Sequence, residues 1–309
     1  MKILLAPLHG ITNYVFRNTL ASHVAGIDAA IAPFLPVMPV EQIKTKSWKD
    51  ILPENNTQWE TMPQLMGNVV SHCVDTAQAL ADLGYPSVNW NLGCPMNQIV
   101  RRQRGCGLMP YPELIEDVLK TMGRKNRPLS LKIRMGLHHR KEGRAIIEMS
   151  NDYPLDFIII HPRLGEWQYK GTPDLEEFAY LLSHSQHRII YNGDINTVED
   201  FNSLQRHFPN THDWMIGRGL LRNPFLAEEI KGGIANPDLR KARFHAYYSG
   251  LITAIRENKG ERSLLPALKE MWHYFSAFWC FSDKELYDLL RINDLCLFQD
   301  YVNKHTEIH

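Results

Sequence analysis

The sequence predicts an α/β fold, a TIM (β/α)8 barrel followed by a C-terminal all-α helical bundle, and three observations predict it. Eight short apolar runs alternate with stripes of helical spacing, the pattern of a parallel sheet covered on its outer face. Glycine-bearing loops follow the seventh and eighth runs, where barrels commonly hold phosphate. After about Gly233 no β run remains, and apolar residues recur only at helical spacing. The division expected is a barrel over 1–232 and a helical domain over 238–309, with GGIANPD as the linker.

The strands are expected at Lys2–Ala6, Ala29–Pro33, Met62–Met66, Ser87–Asn91, Leu129–Arg134, Asp156–His161, Arg188–Asn192 and Trp214–Gly217. Between them, Cys73, Val74, Ala77, Leu80 and Ala81 form one helical stripe, stopped by Gly84. Leu114, Ile115, Val118, Leu119 and Met122 form another, with Pro112 near its start. Thr197 is the expected N-cap of the stripe Phe201, Leu204, Phe208, and Asn223-Pro224 opens a further short helix. In the C-terminal region three stripes are read: Phe244 to Ile255, Leu264 to Trp279, and Leu286 through Leu289 and Leu290 to Phe298. Their aromatics are read as core rather than as a surface for stacking bases.

Composition narrows the function. The 309 residues carry a formal net charge of +0, with 44% hydrophobic and 22% charged residues, as in ordinary globular chains. No apolar stretch approaches the length of a membrane span, and MKILLAPLHG does not resemble a signal peptide, so a cytoplasmic protein is expected. Cys73, Cys94, Cys106, Cys280 and Cys296 are odd in number and contain no CxxC pair, which argues against a disulfide framework and a structural zinc site. No metal is expected. The stretch from Arg101 to Arg144 is rich in Lys and Arg, including Arg101, Arg102, Arg104 and Arg127. It reads either as a solvated face or as a track for a polyanion.

In a barrel of this kind the site lies at the C-terminal strand ends. Those ends carry His9 and Thr12, Gln64, Asn91 and Cys94, Lys132 and Arg134, His161 and Arg163, Asn192-Gly193-Asp194, and Gly217-Arg218-Gly219. The last two segments together suit a phosphate. Lys132, on a strand facing the interior, needs an anionic or strongly accepting partner: a reduced flavin edge, a Schiff-base carbonyl or a structural acid. Cys94, between Gly93 and Pro95, reads as a thiol fixed over the barrel mouth, a competent proton donor while neutral. The alternative is a buried structural cysteine, and Cys106 in RGCGLMP is the rival thiol.

These segments in this order resemble the tRNA-dihydrouridine synthases. APLHGITN is similar to that family's opening flavin loop and QLMGN to its glutamine motif. NLGCPMNQIVRRQRGCGLMPYPELI resembles the segment with the catalytic cysteine, and LKIRMG, IIHPR, YNGDI and MIGRGLLRNP follow in matching order. The C-terminal LKEMWHYFSAFW is similar, more loosely, to the family's helical tRNA-binding domain. The resemblance implies FMN as cofactor, NADPH as reductant and tRNA as partner, with a monomer expected. It implies FMN contacts at Pro7, Leu8, His9, Gln64, Lys132, His161, Asn192, Gly193, Asp194, Gly217 and Arg218. Asn91 and Arg134 would hold the uracil ring, and Arg101, Arg102 and Arg104 would track phosphates. Flavin N5 would deliver hydride to C6 and Cys94 a proton to C5, with the base turned out of its stack. The chain's length and bundle lean toward the subgroup acting on uridine 16 of the D-loop. His9, Pro33 and the HPR of Arg163 depart from the family's commoner pattern. Other readings are a flavin barrel acting on a free pyrimidine, of the dihydroorotate or dihydropyrimidine dehydrogenase kind, a Schiff-base lyase using Lys132, and a flavin-free RNA-binding barrel.

Overall fold

The structure, a computed structural model, describes residues 1–42, 45–125, 128–233 and 236–306. Arg127 and, in the linker, Ile234 and Ala235 lie outside the described residues. The chain opens with β1 (Lys2–Leu5), α1 (Tyr14–His23), β2 (Ala29–Ile31) and the short β3 (Leu35–Pro36). There follow β4 (Glu60–Met62), β5 (Gln64–Met66), α2 (Val70–Asp82), β6 (Val88–Leu92), α3 (Asn97–Val100) and α4 (Pro112–Arg124). The pattern continues through β7 (Leu129–Arg134), α5 (Arg140–Ser150), β8 (Ile158–His161), α6 (Leu175–His184), β9 (Ile189–Tyr191) and α7 (Val198–His207). After β10 (Asp213–Ile216) come α8 (Arg218–Arg222) and α9 (Leu226–Ile230).

All pairings are parallel, in the order β3-β5-β6-β7-β8-β9-β10-β1-β2-β4. The two ends of that order meet in the chain, because β4 runs into β5 across Pro63. Ala32 N–H reaches Met62 O at 3.0 Å from one side, and Asn89 N–H reaches Pro63 O at 2.9 Å from the other. Two interrupted staves, β2 with β3 and β4 with β5, thus lie side by side and close an eight-stave barrel. The expected strand Met62–Met66 is therefore two pieces, since proline cannot donate to a ladder. The strand expected over Ala29–Pro33 ends at Ile31, leaving Pro33 to the loop.

Side chains alternate across the barrel wall. Ile3, Leu5, Trp90, Leu131, Ile133, Ile158 and Ile160 belong to the outer core beneath the helices. Leu4, Ala6, Ile31, Phe157, Ile159, Ile190 and Met215 form a separate inner plug. The alternating positions of β6 and β7 are polar, buried Asn89, Asn91, Ser130 and Arg134, so the barrel floor is apolar on one side and polar on the other.

The Thr197 cap is present with a full capping box through Asp200, and Gly84 follows α2 at φ +95°. The helix expected at Asn223-Pro224 begins later, at Leu226. Asn223 instead forms the turn that leads into it, its side-chain oxygen accepting from Phe225 N–H at 3.1 Å, and Phe225 is the N-cap residue. The C-terminal region is α10 (Pro237–Lys259), α11 (Leu264–Phe278), α12 (Asp283–Arg291) and α13 (Leu295–Thr306). The stripe from Leu286 to Phe298 is thus two helices, because Ile292 is extended and Asp294 takes up Leu297 N–H at 2.9 Å. Phe244, Tyr247, Trp272 and Phe275 are buried, so these aromatics are core. α10 packs against α1, and α11 against α8 beside the barrel mouth. Among the described residues no helix is long and apolar enough to cross a membrane.

Candidate active site

Two lobes open at the C-terminal ends of the staves, and they share Pro7, Leu8, Lys132, His161 and Tyr169. The first, of about 520 Å³, is bounded by Asn192, Gly193 and Asp194 after β9 and by Gly217, Arg218 and Gly219 after β10. The second, of about 830 Å³, holds Cys94 with His9, Pro33, Phe34, Asn91, Met96 and Arg134.

Cys94 stands on the loop after β6, and the sequence builds that loop from below. The side-chain oxygen of Asn91 accepts from Gly93 N–H at 3.0 Å and from Cys94 N–H at 2.9 Å. Its amide donates to Gln64 Oε1 at 2.8 Å, Gln64 to Asn89 Oδ1 at 2.7 Å, and Asn89 to Ser130 Oγ at 2.9 Å. This amide ladder crosses three staves under the thiol. Burial raises the Cys94 pKa, against Met96 N–H and the charges of Arg134 and Lys132, so the sulfur is a neutral thiol at neutral pH. Cys106 is fully buried, donates through its sulfur to Cys94 O at 3.1 Å, and is pushed up to about 12 by burial. It braces the loop and does not face the lobes. Gly105 is needed beside it: φ is +57°, and a Cβ there would lie 2.6 Å from Cys94 O.

Arg134 is a strut between two loops. It donates to Gly93 O at 2.9 Å on the Cys94 side and to Leu164 O at 3.0 Å and Gln168 O at 2.6 Å on the other. Lys132 Nζ donates to Asn192 Oδ1 at 2.7 Å, and burial with the nearby Arg134 charge pushes its pKa down to about 7. His161, one stave along and in register with Arg134, is driven well below the ordinary histidine value. The causes are burial and then the charges of Arg134, Lys132, Arg163 and Arg218. Asp194 accepts from both Arg163 and Arg218. Burial alone would raise its pKa, but the two guanidiniums hold it below the usual value.

The glycines of the first lobe mark close approach. A Cβ on Gly219 would sit 1.9 Å from Ile195 O, and one on Gly193 would sit 2.3 Å from the Tyr191 hydroxyl. The short helix at this lobe is α8, starting at Arg218, rather than the one that follows Asn223-Pro224.

Most of the expected site residues meet at these two lobes. Gln64 does not: it is fully buried, and its amide is spent on Asn89 and Asn91. Asn91 and Arg134, expected to hold a base, line the second lobe but direct their hydrogen bonds into the loops around it. Arg101 and Arg102 are exposed, whereas Arg104 is half-buried with its Nε enclosed and unpartnered. Sequence reasoning missed Tyr169 and Phe34. Tyr169 lies across both lobes, under the Arg218 guanidinium at 4.6 Å and that of Arg134 at 5.4 Å. Phe34 stacks on His9 at 4.8 Å. The signal for Tyr169 is GEWQYKG, aromatics between two glycines in the long loop 162–174 after β8.

Residues 4–289 match the family model described as dihydrouridine synthase (Dus). The tRNA-dihydrouridine synthase B of Vibrio cholerae is 25% identical over 266 residues, 84% of this chain and 81% of that one. The tRNA-dihydrouridine(16) synthase of Pseudomonas syringae pv. tomato is 29% identical over 238 residues, 74% of each chain. Among solved structures, morphinone reductase superposes with a TM-score of 0.51 at 12% identity, covering 77% of this chain and 88% of that one. That likeness concerns the barrel fold.

Proposed function

The chain belongs to the dihydrouridine synthase family, and from that premise we propose that it reduces the C5=C6 bond of a D-loop uridine in tRNA, with FMN as cofactor and NADPH as reductant. The observation that carries this is the Cys94 thiol set over a lobe that joins, through Lys132 and His161, the cleft between the two glycine loops.

The donor set fits FMN. Lys132 and Arg218 bring positive charge, and the carboxylate of Asp194 is already held by two guanidiniums. No side chain intrudes at Gly193 or Gly219, where any Cβ would strike its own neighbours. Backbone N–H groups and Arg218 would take the phosphate, and Lys132 and His161 the ring. The chemistry FMN would supply when held there is hydride donation to C6 of the base. Cys94 gives its proton to C5. Met96 N–H and the charges of Arg134 and Lys132, which face the sulfur, then stabilise the thiolate until water returns the proton. Tyr169 and the Arg134 strut bound the space left for a base turned out of its stack. The (16) synthases among the relatives support position 16.

Purified protein should be yellow and should release FMN on denaturation. A colourless protein that takes up no FMN would sink this reading. Mass-spectrometric mapping of tRNA from a strain lacking the gene should show dihydrouridine lost at position 16, and loss elsewhere would move the assignment. The Lys132 amine would also suit a Schiff base. Borohydride should leave the protein's mass unchanged in the presence of carbonyl compounds, and a trapped adduct would favour that rival.

A further inference from the structure

We propose that Arg163 is a positioning residue that sets the hydrogen-bonding polarity where the two lobes meet. It holds His161 as a neutral ring with the proton on Nδ1, and it fixes Asp194 beside the glycine loops. Its catalytic consequence rests on the flavin reading above, but the tautomer is a property of the protein alone.

The chain path brings the two side chains together. Arg163 N–H donates back to His161 O at 2.7 Å, a tight turn about Pro162 at the end of β8. Proline's fixed φ is close to what such a turn requires. The Arg163 side chain is then folded under its neighbour and is 1% exposed. Nη1 carries two hydrogens: one is directed at His161 Nε2 at 3.1 Å and the other at Asp194 Oδ1 at 3.1 Å. Nη2 carries two more, directed at Gly171 O at 2.7 Å and at Asp194 Oδ2. Nε is buried without a partner.

A guanidinium has five donors and no acceptor. His161 Nε2 must therefore present a lone pair to it, which places the ring proton on Nδ1. A doubly protonated ring is disfavoured twice over. It would point N–H at N–H, and it would add a cation where Lys132, Arg134, Arg163 and Arg218 already face it. Asp194 pairs with Arg163 and Arg218 rather than with the ring, and its single charge leaves the cluster net positive. His161 lines both lobes, so an Nδ1–H donor is the polarity it offers there. The same guanidinium, through Gly171 O, also pins the far end of the loop that carries Tyr169.

The test is long-range proton–nitrogen correlation NMR on holoprotein labelled with ¹⁵N-histidine, with the ring assigned through His161→Gln. The wild type should show Nδ1 protonated and Nε2 bare from about pH 6 to 8, despite an ordinary histidine pKa near 6.5. Arg163→Met should give mixed tautomers and lower kcat/KM by roughly 10- to 100-fold, the size seen when a group that orients a site residue is removed. Arg163→Gln replaces the fork with an amide that can either donate to or accept from Nε2, and it should show the same tautomer mixing where the methionine variant does not fold. A wild-type ring protonated on Nε2 overturns the proposal, as does an unchanged tautomer in either variant. A protein without flavin would instead overturn the functional reading and leave the tautomer result standing.

Discussion

Cys94 and Lys132 show how placement sets chemistry at single residues. A thiol that donates a proton must be neutral, and burial raises the Cys94 pKa. Activity should therefore hold through the ordinary thiol value near 8.5 and fall only above it. Cys94→Ala should keep FMN and tRNA while losing about 10²- to 10⁴-fold in dihydrouridine formation, followed by mass spectrometry. Wild-type turnover in that variant would move the acid elsewhere. It would not move it to Cys106, which is sealed behind the loop. Lys132 makes the opposite trade. Its pKa is about 7 in the fold, against the ordinary 10.5. Below pH 7 it is charged in both folded and unfolded chains, and the burial penalty is full. Between the two values the unfolded chain holds the extra proton, so stability rises with pH. Every tenfold change in proton affinity between the two states corresponds to about 1.4 kcal/mol. Lys132→Met should thus melt higher than wild type at pH 7, on the order of a few kcal/mol more stable, yet take up no FMN. A lower melting temperature in scanning fluorimetry would show that the Asn192 hydrogen bond outweighs the burial penalty.

At the scale of elements, the site depends on loops that touch. Gly219→Ala would drive a methyl into Ile195 O, forcing the loops after β9 and β10 apart. Overpacking of this kind costs about 1–3 kcal/mol. Flavin retention after gel filtration should fall even where the melting temperature shows that the barrel persists. Retention at the wild-type level would remove these loops from the cofactor site. The elements themselves are largely legible in the sequence, because apolar runs and helical stripes report burial directly. Pro63 is visible inside MPQLM, but only pairing from both sides shows that it joins two half-staves rather than ending one. In SVNWN and LSLKIR the alternation of apolar and polar residues marks Asn89, Asn91, Ser130 and Lys132 as facing one way, toward the interior. The amide ladder is the result. Gln64 stands out within its apolar run, yet nothing in one chain's sequence distinguishes a residue in the lobe from one a layer below it. Tyr169 escapes sequence reasoning because its loop has no periodicity, and it is placed by Arg134 bonds to Leu164 O and Gln168 O.

For the whole molecule, a net charge of +0 means that attraction to RNA must come from local arrangement. Arg101 and Arg102 follow α3, the short helix that leaves the Cys94 loop, and both are exposed. Asn68 donates to Arg102 O at 3.2 Å, which ties that turn to the end of stave β5. Met96, the N-cap of α3, lines the second lobe, so under the proposed function the phosphates flanking a bound base are expected at this turn. Arg104 differs: its Nε is enclosed, and its charge is felt by buried Cys73 on α2. Removing it would disturb packing as well as charge, so the clean variant is Arg101→Ala with Arg102→Ala. Each phosphate no longer neutralised by the protein should reduce the slope of log affinity against log salt by about 0.7 to 0.9. The pair should therefore flatten the tRNA-binding slope by up to about twice that, raise KM for tRNA and leave flavin content unchanged. A salt series that superimposes on wild type would show that the RNA approaches from elsewhere on the mouth. The C-terminal side would then be the place to look, since α11 packs on α8 next to Arg218 and brings Tyr274 and Glu270 toward the same opening.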